Sequence, residues 1–419
     1  MDQRPFRRAT RRGAFEALQD FLPRAGADYA SHRNFDLGPG KHQNVSRLSP
    51  YLRHRLILEV EVLAAVLRDH GASAASRFVE EVFWRAYCKG WLEHRPSVWT
   101  DYRASVRRFV DALATDAGLR ERYETALKGK TGIECFDAWV SELLTTGYLH
   151  NHARMWFASI WIYTLELPWQ LGADFLYRYL VDGDPASNTL GWRWVCGLHT
   201  RGKTYLARAT NIVSYTGGRF LPDGRLARAA PPLAETQAHS LRPLPGAQVM
   251  PACSRFGLLV TEDDCALETL EPGRAPVAVM GATSTSSRSP LPVGSAARDF
   301  AMRAVADGTE RVATHFGIPA QSVRAEDWDI ALVTWSRSCE LDAIVTGYAP
   351  AGPVAEQLAR ARRALSGHGV ELIQVRRSFD ECAWPHATRG YFRMKSRIPE
   401  VLGQLGLSST VKKPRRASG

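Results

Sequence analysis

A chain of 419 residues that is 45% hydrophobic exceeds one ordinary core and predicts two or three domains. Its net charge of +11 sits mostly at the ends, with five Arg against one Asp in residues 1–12 and Lys412, Lys413, Arg415 and Arg416 in the last nine. Such ends are either polyanion-binding arms or plain solvated tails. Seven dispersed Cys without a C-x-x-C pair exclude a zinc ribbon and a clustered iron–sulfur site, and the absence of an apolar h-region or an uninterrupted apolar span excludes a secretory signal and a membrane helix. A reducing cytoplasm is the compartment expected.

Along the chain, the first half reads as helical. Ser49-Pro50 offers an N-cap and a Pro at the first helical position. Apolar residues then recur at 52, 56, 57, 60, 63, 64 and 67 up to Gly71, a helical period. Further helices are predicted over 74–92, 101–116, 134–146, 150–166 and 172–181. Residues 217–250 are rich in Pro, Gly and Ala and read as a linker. Beyond 250 short apolar runs at 257–261, 276–280, 329–335, 343–347 and 371–375 read as strands, with helices at 295–306 and 353–367 between them. Strands alternating with helices predict a parallel α/β sheet. The expected division is a helical domain over 1–216, a linker over 217–250, an α/β domain over 251–405 and a basic tail over 406–419.

Four segments carry candidate chemistry. Asn44 to Leu52 (NVSRLSPYL), with Tyr29 and Arg33 upstream, places Val45, Ser46, Leu48 and Ser49 at a helix N-terminus. That is an anion site or simple capping. In FVEEVFWRAY, Phe78 to Tyr87, Glu81, Trp84 and Arg85 share one helix face, as a pocket lining or as a surface ion pair. The third segment, TGYLHNHARM, runs from Thr146 to Met155 and contains Asn151 and Arg154. Its His150 and His152 stand at i and i+2, point apart on a helix, and are not expected to bind metal. The fourth holds Asp182, Asp184, Ser187, Asn188, Trp192 and Trp194 in a D-G-D-x-x-x-N-x-x-x-W-x-W run.

The H-N-x-x-R-M hexad followed by the D-G-D…W-x-W run resembles the flavin-binding core of the DNA photolyase/cryptochrome family. The resemblance covers residues 29–211. It implies a mainly α-helical FAD-binding domain of photolyase type, followed here by a smaller Rossmann-like α/β domain, in a short form without the usual N-terminal antenna domain. It also implies a deoxyribodipyrimidine photo-lyase-like enzyme that passes an electron from reduced FAD to a flipped cyclobutane pyrimidine dimer in damaged DNA. The alternative is a cryptochrome-like blue-light photoreceptor that binds FAD without repair.

Carried over residue by residue, the resemblance makes Glu81 a hydrogen-bond partner of the lesion and Trp84, Met155 and Trp194 its packing surface, with Asn151 beside both lesion and flavin. Trp192 begins a Trp relay to the flavin and Trp169 is its middle. The surface end is unassigned, since the region near Tyr123 lacks the expected Trp, and Trp139, Trp99 or a Tyr stands as substitute. Tyr29, Arg33, Val45, Ser46, Leu48, Ser49, Phe78, Glu81, Arg85, Asn151, Arg154, Asp182, Asp184, Ser187 and Asn188 line the cofactor. Within that set Asp182 pairs with Arg154, Asp184 accepts from the flavin N3–H, and Asn188 faces N5. Asn at that place is the photolyase choice. Phe78 and Ala86 depart from the family's Trp and acid. The α/β half is either antenna-like or an unrelated module, expected to be separable from the cofactor pocket; a second chromophore is not identifiable. Its Gly281–Arg288 loop reads as an ordinary loop more than as an anion site.

Overall fold

The structure, a computed structural model, describes residues 6, 8–235, 237–246, 248, 250, 255–323 and 327–407. Most of the basic tail, Cys253 and most of the first seven residues lie outside these. The helices of the first half are Arg11–Phe21, Ala27–His32, Ser49–Arg53, Glu59–Ala74, Ser76–Glu93, Pro96–Thr115, Ala117–Leu127, Glu134–Thr146, Asn151–Ser159, Trp169–Tyr179, Pro185–Val195 and Ala209–Tyr215. The run from Pro50 to Gly71 is two helices, separated where Arg55 takes a left-handed conformation with φ 47°. The Glu134–Thr146 helix ends on Gly147 at φ 68°, the left-handed stop that glycine supplies.

The second half holds one parallel sheet of β1 (Phe256–Thr261), β2 (Ala278–Ala282), β3 (Ala320–Val323), β4 (Ala343–Gly347) and β5 (Glu371–Val375), in the order β3-β2-β1-β4-β5. Helices Ser295–Phe316, Trp328–Ser338 and Pro353–Ser366 make the crossovers. In register, Leu258 of β1 sits between Val279 and Val345. One predicted strand is corrected. Residues 329–335 are helical, because Trp328, Leu332 and Trp335 are buried while Ile330 is exposed, a spacing of three and four that fits a helix face and not alternation. The third strand is the polar Ala320–Val323, which carries no apolar run to announce it. Three short helices follow β5, at Ser378–Ala383, Tyr391–Lys395 and Ile398–Gln404, and the first two return to the Ser76–Glu93 helix.

The two halves share one buried apolar core. Tyr51 meets Phe300 edge-on with ring centres 5.6 Å apart. Open α/β sheets offer a ligand crevice at the carboxyl ends of their strands. Here Arg53, His54 and Arg55 fill the end of β1. Arg53 pairs with Asp263, His54 Nδ1 lies 2.6 Å from the Glu262 carbonyl, and Arg55 pairs with Asp380 and lies 3.5 Å from Asp264. The Gly281–Arg288 loop is occupied too. The Ser284 N–H and the Thr285 hydroxyl donate to Glu262, and Arg288 is buried, donating to Leu180 O at 3.1 Å. These contacts run against the expectation that the α/β half is separable. Among the described residues no helix is long and apolar enough to cross a membrane.

Candidate functional site

The Pro185–Val195 helix starts on Asp184, whose carboxylate accepts from Ser187 N–H at 2.8 Å. Asp followed by Pro is a strong local start signal. Asp184 is buried, with Arg85 Nη2 at 3.9 Å and Arg53 Nε at 4.0 Å. Burial alone would raise its carboxyl pKa, but Lys89, Arg85 and Arg53 outweigh that and hold it at about 2. Lys89, one helical turn beyond Arg85, is itself buried, and desolvation lowers its pKa against the pull of Asp184. Sequence reasoning passed over Arg53 and Lys89. The available signal was a cation on the inner side of an otherwise apolar helix face.

Two residues before Asp184, Asp182 accepts from Arg154 Nη2 at 3.0 and 2.9 Å through its two oxygens. Burial opposes its charge, but Arg154 and the Ser49 hydroxyl bring its pKa below the usual carboxylate value. The predicted Asp182–Arg154 pair is thus formed, with Ser49 beside it. Asn188 Nδ2 donates to Ala173 O at 2.9 Å, which leaves its Oδ1 as the end able to accept from a ligand. The Asn44–Leu48 loop is wound tightly: Asn44 Nδ2 donates to His32 O and Phe35 O, both at 2.8 Å, and Leu48 N–H donates to Ser46 Oγ at 3.3 Å. Val45 is half-buried and Leu48 fully buried.

On the Ser76–Glu93 helix, Glu81 is half-exposed and paired with Arg33. Burial raises the Glu81 pKa, and Arg33 opposes the rise. Phe78, three residues before Glu81, is buried, 4.9 Å from Phe21 and 5.4 Å from Tyr29. It and Tyr29 form an aromatic floor. Trp84 is half-buried and meets Tyr391 at 4.4 Å, a contact from the far end of the chain that no local pattern signals. Asn151 is exposed on the first turn of its helix, and Met155 is half-buried one turn on. Trp194 stacks on Tyr205 at 5.4 Å and 29°.

Trp192 is buried, 6.4 Å from Trp161. Trp169 stacks on Tyr102 at 5.6 Å and 21°, and Tyr102 lies 5.5 Å from Trp99. Of the residues named for the far end of a relay, a Tyr (Tyr102) and Trp99 adjoin Trp169, whereas the ring neighbours of Trp192 are Phe157 and Trp161. Trp139 is elsewhere, stacked on Trp156 and donating to Asp36 at 2.9 Å.

The donor set suits a flavin dinucleotide. Arg85 Nε and Nη2 are buried with no hydrogen-bond partner among the described residues, a condition that native proteins rarely leave unmet. An anionic or carbonyl-bearing ligand beside Asp184 would satisfy them. Asp184 and Asn188 offer acceptors on the same helix end.

Residues 78–244 match the model of the FAD-binding domain of DNA photolyase. A deoxyribodipyrimidine photo-lyase of Streptomyces griseus is 34% identical over 198 residues, 47% of this chain and 41% of that one. One of Thermus thermophilus is 35% identical over 221 residues, 52% of this chain and 50% of that one. The solved bacterial class III photolyase from Agrobacterium tumefaciens aligns with a TM-score of 0.40 at 28% identity, over 50% of this chain and 43% of that one. The chain spans about half the length of the curated relatives it matches, or less. Over residues 78–244 the chain is therefore similar to the FAD-binding domain of DNA photolyase.

Proposed function

We propose that this protein is a light-driven DNA repair enzyme acting on cyclobutane pyrimidine dimers with FAD as cofactor. The observation that carries the reading is the placement of Glu81 and Trp84, half open, on the same helix as Arg85, whose free buried donors sit beside Asp184. One helix thereby joins a lesion face to a cofactor face. Bound and reduced, the flavin supplies the light-driven electron that splits the cyclobutane ring and is then recovered.

The chain's own residues bind, orient and exclude water. Asp184 is held charged and accepts an N–H; Arg154 is anchored by Asp182 at the edge of the site. Asn188 presents its Oδ1 to a protonated ring nitrogen. Glu81, with its pKa raised, is suited to hydrogen-bond a pyrimidine carbonyl, while Trp84, Met155 and Trp194 give apolar surface to the extruded dimer. Extrusion is easiest for a lesion that already pairs badly. We assign the chemistry to residues 1–216, the linker role to 217–250 and a covering role to 251–405. The reducing cytoplasm suits the free Cys88, Cys135, Cys196, Cys265, Cys339 and Cys382.

The test is repair of a dimer-containing oligonucleotide by flavin-loaded, chemically reduced protein. Loss of the dimer in blue or near-UV light and not in the dark is the result expected. Unchanged dimer under light, with flavin shown to be bound and reduced, would overturn the reading.

A further inference from the structure

The loop that leads into Asn44–Leu48 meets the Glu134–Thr146 helix through buried polar groups. Asp36, His42 and Glu142 are 0%, 2% and 5% exposed, and a donor atom from each lies within 4.8 Å of the other two. Asp36 Oδ2 accepts from Trp139 Nε1 at 2.9 Å and pairs with Arg219 Nη2 at 2.8 Å, while Oδ1 accepts from Gly38 N–H at 3.1 Å. His42 Nε2 lies 2.8 Å from Glu142 Oε1. A carboxylate accepts, so the imidazole proton stands on Nε2. The buried His42 Nδ1 has no hydrogen-bond partner among the described residues and lies 4.0 Å from Asp36 Oδ1. Two lone-pair donors thus face each other at a separation beyond a hydrogen bond. His150 stacks on His42, ring centres 5.6 Å apart at 21°. Its Nδ1 accepts from His152 N–H at 3.2 Å, which puts its proton on Nε2. That buried Nε2 is likewise without a partner among the described residues.

We propose that Asp36 Oδ1 and His42 Nδ1 hold a divalent first-row metal ion, best matched by Zn2+, and that Glu142 orients the imidazole. The inference is independent of the repair reading. Two ligands at about 2.0–2.2 Å from one ion span at most about 4.4 Å, so 4.0 Å is within reach. A metal-bound histidine donates its other N–H to a carboxylate, the place that Glu142 takes. A water on the ion gives the His150 Nε2–H an acceptor. Mixed nitrogen and oxygen donors suit Zn2+ better than Mg2+ or Ca2+, which take oxygen. Two buried carboxylates face one guanidinium, that of the partly exposed Arg219, and a dication compensates them. A water bridging the same two atoms, about 2.8 Å from each, would bend its donors toward a right angle and bring no charge. The ion would fasten the turn before the Asn44–Leu48 loop, whose Asn44 donates to Phe35 O at 2.8 Å.

The test uses the full chain. Chelator-treated wild type is titrated with Zn2+ and, for spectra, with Co2+, and metal per chain is measured after gel filtration. Uptake of about one equivalent is the result expected, with a rise in the thermal midpoint that chelator reverses. His42→Ala should abolish uptake. Glu142→Gln keeps an acceptor for Nε2–H but not the charge, and should weaken metal affinity roughly 10–100-fold. X-ray absorption of the Zn2+-loaded wild type should show nitrogen and oxygen neighbours and an imidazole, without sulfur; this reading needs no variant to fold. Failure of folded, chelator-treated wild type to take up Zn2+ or Co2+ would overturn the proposal and leave His42 bridged by water. Uptake that persists in folded His42→Ala, or sulfur ligation in the wild type, would overturn it by placing the ion elsewhere.

Discussion

Asp184 is only 4% exposed, yet three cations face it, and its carboxyl stays at about 2. Removing one member of such a buried set leaves the others uncompensated, at about 3–5 kcal/mol. Asp184→Asn should therefore lower both the denaturation midpoint and flavin content, since Arg85, Arg53 and Lys89 lose their counter-charge. The pH dependence has a definite sign. A carboxyl whose folded pKa lies below its unfolded value, about 3.9, stabilises the fold above that value. The contribution is lost as pH falls toward the folded pKa. Asp264, also held at about 2 by Arg377 and Arg55 against the opposing effect of burial, behaves alike. Stability should be flat with respect to these two groups from pH 5 to 7 and fall steeply between about pH 4 and 2. Urea midpoints across that range check it, and a flat profile would contradict the charged assignment. Glu81 differs, being half-open and paired with Arg33. Glu81→Ala should weaken repair far more than flavin binding, because a lesion carbonyl left unpaired costs about 1–3 kcal/mol. Equal loss of flavin and repair would make Glu81 structural.

Among the elements, the Trp169–Tyr179 and Pro185–Val195 helices pack closely where Gly172 meets Trp192, the residue proposed to begin the relay. A Cβ on Gly172 would fall 2.4 Å from the Trp192 ring and 2.8 Å from that of Trp161, so the glycine is what lets these indoles approach. Gly172→Ala should cost about 1–3 kcal/mol through forced repacking and slow photoreduction of oxidised flavin. Trp192→Phe should keep the packing, block photoreduction and leave chemically reduced enzyme able to repair. Unchanged photoreduction in Trp192→Phe would mean that electrons enter by another route, and the Trp169–Tyr102–Trp99 stack would then need testing by itself. The helical segments were legible in sequence because their determinants are local, a cap and a period, whereas the Asp182–Arg154 pair, 28 residues apart, was expected only from the family resemblance. What stayed hidden was non-local. Tyr391 reaches Trp84 from the end of the chain, and Arg53 becomes a partner of Asp184 only after folding. The strand Ala320–Val323 is too polar to register, whereas the apolar Trp328–Trp335 run hides a helix face among β-prone residues.

For the whole molecule the question is what the α/β half contributes to a pocket whose recognisable residues all lie before it. Its acidic β1 end receives Arg53, His54 and Arg55, which directly follow the Ser49-Pro50 segment beside Asp182. Gly183, between the two site carboxylates, has its carbonyl fixed by Arg53 Nε at 3.1 Å, and a Cβ there would sit 2.8 Å from Arg288 Nη1. The α/β half thus abuts the carboxylate turn itself. Phe300 also packs against Tyr51 and His54. Cutting the chain would expose that apolar face and take Asp263 from Arg53 and Asp264 and Asp380 from Arg55, leaving them only Asp184 and Glu59. Residues 1–235 alone should therefore be insoluble, or soluble with little flavin. Full-length Asp263→Asn should retain the apolar contacts but loosen Arg53, lowering flavin occupancy less than truncation does. Flavin content per soluble chain measures both effects. A soluble 1–235 fragment with full flavin content would show that the helical half owns its pocket and that the α/β half serves only the surface.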